Sequence, residues 1–232
     1  MFPALGALAV EPAPPPPVFD GVATTVAVVV LLLEFLMLRA ALFRTQIRLY
    51  AVQSLAVAVL AAVVAVGRQV PELYVLAGLS VALKVVIVPL VMLHLLREAG
   101  AEIAGSGAVG VASEVIVSIL VAGFGIFAVG ALGLRSQVLP VTALSLSVAV
   151  VLVAFVLMIV RRDVVSQAVG FFSLENGVSM ASLVVAAGLP LILEVAFLFD
   201  LLVAVVVFGV LIRVHHRQSR TLSTESLTRL RG

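Results

Sequence analysis

The chain has 232 residues, of which 63% are hydrophobic and 11% are charged, and its mean hydropathy is +1.33. A soluble globular domain has about 45–50% apolar and about 25% charged residues, so this composition excludes a soluble fold and predicts an all-α, multi-pass integral membrane protein. The formal net charge is +2 and cysteine is absent, which excludes a disulfide, a thiol nucleophile and thiolate ligation of an iron–sulfur cluster within this chain.

Residues 1–17 are rich in proline, with a run between Pro12 and Pro17. Proline lacks a backbone N–H and interrupts helices, so the run predicts a short polyproline II arm. No Lys or Arg precedes the first apolar residues, which is atypical of a secretory signal peptide.

Apolar stretches of about 20 residues then follow one another and predict seven transmembrane helices. Their predicted bounds are Val18 to Arg39, Gln46 to Val66, Pro71 to Leu95, Gly110 to Leu132, Gln137 to Val160, Val164 to Gly188 and Leu189 to Val214. The first five helices occupy residues 18–160, and the last two form a hairpin within 161–214 that turns at Gly188-Leu189-Pro190. Residues 215–232 form a basic tail.

The arginines indicate the orientation of these helices. Eleven fall in the connections of one side or in the tail: Arg39, Arg44, Arg48, Arg97, Arg161, Arg162, Arg213, Arg217, Arg220, Arg229 and Arg231. The other side has two, Arg68 and Arg135. The positive-inside rule therefore predicts an odd number of crossings of the cell membrane (inner or plasma membrane), with the N-terminus outside and the C-terminus in the cytoplasm. The sequence pI of about 9.7 is typical of this bias, and we expect no nucleic-acid binding.

Six ionisable residues fall inside the predicted spans, and each is a candidate for proton relay because a charge in hydrocarbon is costly unless it is paired, protonated or hydrated. They are Glu34, Lys84, Glu114, Glu175, Glu194 and Asp200. Lys84, Glu175 and Asp200 each lie 13 residues from an arginine at the cytoplasmic end of their helix, which places all three roughly 20 Å from that boundary. They form either stations of a proton path or a structural ion pair in which Lys84 neutralises an acid on another helix.

The remaining candidates lie at other depths. Glu34 and Glu114 are close enough to the cytoplasmic boundary to reach interfacial arginines instead of serving a path, and Glu194 lies about one turn into the last helix from the outer side. The sixth helix is the least lipid-like, since it carries the supporting polar residues Gln167, Ser173 and Asn176, and we expect it to be buried in protein.

Metal binding is not expected from the histidines. The sequence holds three of them, His94, His215 and His216, and all lie at the membrane boundary or in the tail. No second cluster of ligands is near them in the sequence. The basic tail itself can meet anionic lipid headgroups or a cytoplasmic partner subunit.

Motifs near the C-terminal end resemble the hydrogenase-4 component E family. The segment Gly170-Phe-Phe-Ser-Leu-Glu-Asn-Gly-Val178, then Gly188-Leu-Pro190, Phe199-Asp-Leu-Leu-Val-Ala-Val205 and the close Thr221-Leu-Ser-Thr-Glu-Ser-Leu227 before Leu230-Arg-Gly232 are similar to that family. Its members are membrane subunits of formate hydrogenlyase and related group 4 membrane-bound hydrogenases. Their last helices are in turn similar to the K-type small subunit of complex I and the C subunit of Mrp antiporters.

The resemblance implies a non-catalytic subunit of a proton-translocating hydrogenase or complex-I-like assembly, with membrane lipid, antiporter-like membrane subunits and a hydrogenase peripheral arm as partners. It implies no cofactor in this chain, and nickel–iron and iron–sulfur centres in partner subunits. By this resemblance Glu175 corresponds to the first membrane-embedded glutamate of the related subunits, while Glu194 and Asp200 compete for the second. Two alternatives stay open: a stand-alone ion-coupled transporter, and a structural membrane anchor for the complex.

Overall fold

In a computed structural model the described residues are 17–68, 71–99, 103–104, 110–133, 139–185, 202–212 and 214. Within these ranges the chain is helical and has no strand, and Leu42 forms an isolated backbone pairing with Ile103. The helices are α1 Pro17–Arg39, α2 Phe43–Arg68, α3 Glu72–Ser80, a π-helical segment Val81–Ile87, α4 Val88–Ala99, α5 Val111–Ala131, α6 Val141–Val160, α7 Val164–Val185 and α8 Leu202–Ile212.

Six spans of the described chain are long and apolar enough to cross a membrane. They are α1, α2, the continuous run from Leu73 to Glu98, α5, α6 and α7, which agree with the first six predicted helices. The predicted start of the fifth helix at Gln137 is wrong: α6 begins at Val141, because the preceding Pro140 is extended with φ −63° and ψ 141°. The shorter α8 falls within the seventh predicted span. The proline-rich arm, the turn at Gly188 and the basic tail lie outside the described residues.

The connections fall at two ends of the helix bundle. At one end, here called the Arg161 end, α1 is followed by α2, α4 ends at Ala99 and α6 is followed by α7. Here the backbone N–H of Ala104 donates to the carbonyl of Ala41 at 2.9 Å. At the opposite end, here called the Arg68 end, α2 ends, α3 begins and α7 ends at Val185.

Helices α6 and α2 are the centre of the bundle. Helix α6 packs against α1, α5 and α7, and α2 packs against α1, α7 and the whole run from α3 to α4. Helix α7 approaches α6 closely at two glycines: a Cβ added at Gly170 or at Gly177 would lie 2.8 Å from a side-chain carbon of α6. By contrast, α5 turns Ile119, Phe124 and Phe127 outward, as expected for a helix in contact with lipid.

The buried apolar side chains form two main clusters, one toward each end. The cluster near the Arg161 end includes Phe43, Leu96 and Phe172, and the cluster near the Arg68 end includes Val64 and Met180. Polar side chains lie between the two clusters, at the level of α7 that separates Phe172 from Met180. This level matches the middle depth predicted from the arginine positions.

The π-helical segment interrupts the third membrane span at its centre. Val88 closes the segment with a backbone N–H bond to the carbonyl of Leu83, five residues earlier. Pro89 follows at once, and a proline within a helix has no N–H to donate while its ring clashes with the carbonyl four residues before it. The widened turn accommodates the proline, and π turns are frequent at functional sites.

Candidate functional site

A buried ion pair joins the π-helical segment to α7. Lys84 Nζ lies 2.9 Å from Glu175 Oε1, and the side chains are 2% and 12% exposed. Lys84 Nζ also donates to Ser179 Oγ at 3.1 Å and to Asn176 Oδ1 at 3.4 Å. An ammonium group has three N–H donors, so α7 supplies one acceptor for each. The placement of Lys84 and Glu175 at one level is therefore confirmed, and the two side chains face each other.

Asn176 connects this pair to α2. Its amide nitrogen donates to Ser54 Oγ at 2.8 Å and to Gln53 Oε1 at 3.0 Å, while its oxygen accepts from Lys84. Both donors and the acceptor of this buried side chain are thus satisfied by protein groups, which fixes its orientation. Asn176 therefore links the ion pair, through hydrogen bonds, to a second group of polar residues on α1 and α2.

That second group is centred on Glu34 of α1. Glu34 is fully buried, and its Oε2 accepts from Gln53 Nε2 at 2.9 Å and from the hydroxyl of Ser173. Its other oxygen, Oε1, has no hydrogen-bond partner among the described residues. The alternative that Glu34 reaches interfacial arginines is wrong, because its carboxyl group points into the bundle and no described cation pairs with it.

The hydroxyl of Ser173 lies within hydrogen-bonding distance of two possible acceptors. Its Oγ contacts Glu34 Oε2 and also lies 2.8 Å from Gln53 Oε1. A hydroxyl group has one proton to donate. It can donate to an ionised Glu34, or it can accept from a protonated Glu34 and donate to Gln53. Both protonation states of Glu34 are therefore compatible with the same side-chain positions.

The network is continuous from Glu34 to Glu175 and crosses four elements. The connection runs from Glu34 through Gln53, Asn176 and Lys84 to Glu175, on α1, α2, α7 and the π-helical segment. Amide groups order such a network but exchange protons poorly, whereas hydroxyl, carboxyl and ammonium groups exchange them readily. Proton transfer is thus available within each half of the network, and Asn176 and Gln53 hold the halves together.

A cavity of about 30 Å³ adjoins the ion pair on the side of the Arg68 end. Its polar lining consists of Ser80, Lys84, Glu175, Ser179 and Ser182, and its apolar lining includes Leu76 and Leu183. The buried Ser182 Oγ has no hydrogen-bond partner among the described residues. A polar cavity needs about 10–15 Å³ to hold a water molecule, so this one has room for one or two within reach of the ion pair.

A separate polar cluster lies at the Arg161 end. Arg161 Nη2 donates to the carbonyl of Leu38 and lies 3.8 Å from Glu114 Oε2. Gln167 donates to the backbone oxygen of Arg161 at 3.0 Å, and Asp163 caps α7 by accepting from the backbone N–H of Ser166 at 2.6 Å. Glu114 therefore pairs with an interfacial arginine, as the alternative interpretation held. The structure places Gln167 in this cluster and not beside Lys84.

Of the predicted site residues, the structure brings together Glu34, Lys84, Ser173, Glu175 and Asn176, and it separates Glu114 and Gln167 from them. Glu194 and Asp200 lie outside the described residues. Sequence reasoning missed Gln53 and Ser54, two adjacent polar residues at the centre of an apolar helix, because it considered ionisable groups in every span but uncharged ones only in the sixth. Within the described chain no group of three or more His, Asp or Glu residues could hold a metal ion.

Comparisons with known proteins give a distant relationship. No family model and no solved structure matches the chain. A stretch of 71 residues is 44% identical to an uncharacterized protein of Mycobacterium tuberculosis, and this match spans 31% of the chain and 32% of that protein. Hydrogenase-4 component E of Escherichia coli K12 is 25% identical over 190 residues, which cover 82% of the chain and 88% of that protein, and the protein of the same name from Shigella flexneri matches equally. The relationship and the six apolar helices together fit a multi-pass membrane subunit of a hydrogenase complex.

Proposed function

We propose that this protein is a non-catalytic membrane subunit of a hydrogenase-4-type or complex-I-like respiratory complex. In this role Lys84 and Glu175 take part in moving protons or another cation through the membrane. The observation that carries the proposal is the buried ion pair of Lys84 and Glu175, which lies between two apolar clusters and beside a cavity that has hydroxyl groups in its lining. Ionisable groups at such a depth are costly and mark ion pathways in membrane proteins.

We propose different roles for the candidate residues. Glu175 and Lys84 form the site that exchanges the transported ion with the cavity, and Glu34 with Ser173 forms a second polar site at the other side of Asn176. Glu114 stabilises the Arg161 end through its contact with Arg161. Glu194 and Asp200 stay candidates for a further carboxylate on the seventh helix.

The proposed topology has seven membrane spans, with α8 as part of the seventh, the N-terminus outside and the C-terminus in the cytoplasm of a cell (inner or plasma) membrane. The Arg161 end then faces the cytoplasm, in agreement with the arginine bias. The cavity beside the ion pair lies toward the outer side. Antiporter-like membrane subunits and a hydrogenase peripheral arm are the proposed partners, and nickel–iron and iron–sulfur centres belong to those partners.

The test is ion translocation coupled to hydrogenase turnover in inverted membrane vesicles that contain the whole complex. Glu175→Gln removes the carboxylate, whereas Glu98→Gln changes an exposed carboxylate that pairs with His94 at the Arg161 end and is the matched control. We expect Glu175→Gln to abolish the ion gradient while hydrogen chemistry and assembly are retained, and Glu98→Gln to leave both unchanged. An unchanged gradient in Glu175→Gln would favour the structural anchor instead.

Reconstitution of the purified chain separates the proposal from a stand-alone transporter. A stand-alone transporter would move its ion when the purified chain is reconstituted into lipid vesicles without partner subunits. We expect no transport by the isolated chain. The proposed energy source is redox chemistry in the partner subunits, and this chain has no cysteine to ligate an iron–sulfur cluster itself.

A further inference from the structure

We infer that the ion carried through this site is the proton, and that Lys84 is the residue that excludes sodium. The inference rests on the proposed function, which leaves the ion open. It follows from the position of Lys84 Nζ, which occupies the place beside Glu175 that a bound metal cation would need.

A hard cation such as sodium binds to oxygen atoms of carboxylate, carbonyl and hydroxyl groups. Two side-chain oxygens of this kind lie close to the ion pair, those of Asn176 and Ser179, and both lie within 3.4 Å of Lys84 Nζ. The ammonium thus already contacts the carboxylate, the amide oxygen and the hydroxyl. A sodium ion would have to displace a cation that is covalently attached to the protein and hence present at high effective concentration.

The charges that line the cavity also disfavour a metal cation. Its lining includes the ammonium of Lys84 and the carboxylate of Glu175, and its other polar groups are the uncharged hydroxyls of Ser80, Ser179 and Ser182. An ionised pair has a net charge of zero, so the described lining has no excess negative charge to attract a metal cation. Hydroxyl groups and one or two water molecules are nevertheless sufficient to carry protons, because each of them both donates and accepts.

A proton can enter this site without displacing any group. When the N–H bond of Lys84 that points at Glu175 breaks and an O–H bond forms on the carboxylate, an ammonium and a carboxylate become an amine and a carboxylic acid. The sum of the charges is zero before and after, and the donor and acceptor atoms are only 2.9 Å apart. The amine can then accept a proton from water in the cavity, and the carboxylic acid can release one.

Glu34 fits the same ion. Its Oε2 accepts from the amide nitrogen of Gln53 and from the hydroxyl of Ser173. An amide nitrogen has no lone pair to offer a metal ion. The amide of Gln53 can only donate to Glu34, whereas the hydroxyl of Ser173 can donate to the ionised carboxylate or accept from the protonated one. Both carboxylates of the network are thus arranged for protonation.

The experiment measures both ions in the same vesicles of the whole complex. During hydrogenase turnover we expect a pH gradient of equal initial rate in sodium-free and sodium-containing medium, and no uptake of radioactive sodium. Sodium uptake that is lost in Glu175→Gln would overturn the inference while leaving the proposed function intact. A complex that moves neither ion would overturn both.

Two substitutions at Lys84 test the selectivity itself. Lys84→Met removes the cation and releases the oxygens of Asn176 and Ser179, so we expect sodium, compared with choline, to raise the Tm of the purified complex, and to do so more at higher pH, where fewer protons compete for Glu175. Lys84→Arg keeps a permanent positive charge that cannot release a proton. We expect it to abolish the pH gradient and to show no sodium effect. A sodium effect of equal size in wild type and in both variants would place the sodium site elsewhere and overturn the inference.

Discussion

Removing the members of the Lys84–Glu175 pair singly and together separates their structural contribution from their functional one. Two unit charges 2.9 Å apart attract each other by about 6 kcal/mol at an effective dielectric constant of about 20. Transferring the two ions from water costs several kcal/mol each, which offsets this attraction. The ionised pair should therefore be about as stable as an apolar pair of similar volume, whereas either ion alone should be strongly destabilising.

We expect Lys84→Met and Glu175→Leu each to lower the free energy of unfolding by about 3–5 kcal/mol, and the double variant to lie within about 2 kcal/mol of wild type. The interaction energy from this cycle then amounts to several kcal/mol. The assay is denaturant unfolding of the purified chain in detergent micelles, read by the loss of helical circular dichroism.

The exposed pair of His94 and Glu98, with side chains 67% and 46% exposed, is the matched control. An exposed pair spaced by four residues on one helix contributes only about 0.3–0.5 kcal/mol, so its cycle should be nearly additive. Additive losses in the Lys84 and Glu175 cycle would refute the reasoning, since they would mean that the two groups do not compensate each other's charge. Retained stability with an abolished ion gradient in the double variant would assign the pair a functional role beyond holding helices together.

Three further substitutions and one control substitution test the surroundings of the pair. Gly177→Ala should lower the free energy of unfolding by about 1–3 kcal/mol, because the added Cβ would lie 2.8 Å from a side-chain carbon and 3.1 Å from a backbone nitrogen of α6. The control is Gly123→Ala on α5, where an added Cβ would meet nothing within 4 Å, and it should leave the free energy of unfolding unchanged or raise it. Pro89→Ala restores a backbone N–H and should favour a regular helix, which would turn Lys84 away from α7 by on the order of 100°. The pH gradient formed in vesicles should therefore decrease. An undiminished gradient would show that the π-helical segment does not depend on the proline. Asn176→Leu removes one donor each from Gln53 and Ser54 and one acceptor from Lys84, so it should lower the unfolding free energy by about 1–3 kcal/mol. A loss below about 0.5 kcal/mol would contradict the role of Asn176 as the link between the two parts of the network.

The spans were predictable because the physical cause is local. A helix in hydrocarbon must satisfy its own backbone hydrogen bonds over about 20 apolar residues, and that requirement is visible in the sequence of each described span from α1 to α7. The depth of Lys84 and Glu175 was predictable for a similar reason, since rise per residue is constant and arginines mark the boundary.

The faces of the helices were not predictable in the same way. Which side of α1 carries Glu34 inward depends on how α1 packs against α2 and α6, and neighbouring helices with apolar residues on every side give no amphipathic signal. The π-helical segment was also missed, although Pro89 in the middle of an apolar stretch was its visible sign. The connection through Gln53 and Asn176 required knowledge of which helices are neighbours.

The close approach of α7 to α6 determines which member of the ion pair is free to move. Gly170 and Gly177 lie against α6 with no room for a methyl group, so the backbone that carries Glu175 is wedged in place along two helical turns. Lys84 stands opposite, on a long flexible side chain and on a widened turn, a type of turn that is frequent at functional sites. A change of protonation in this protein should therefore displace Lys84 and leave Glu175 and α7 in place. Any motion transmitted to a neighbouring subunit should then be transmitted by the third membrane span.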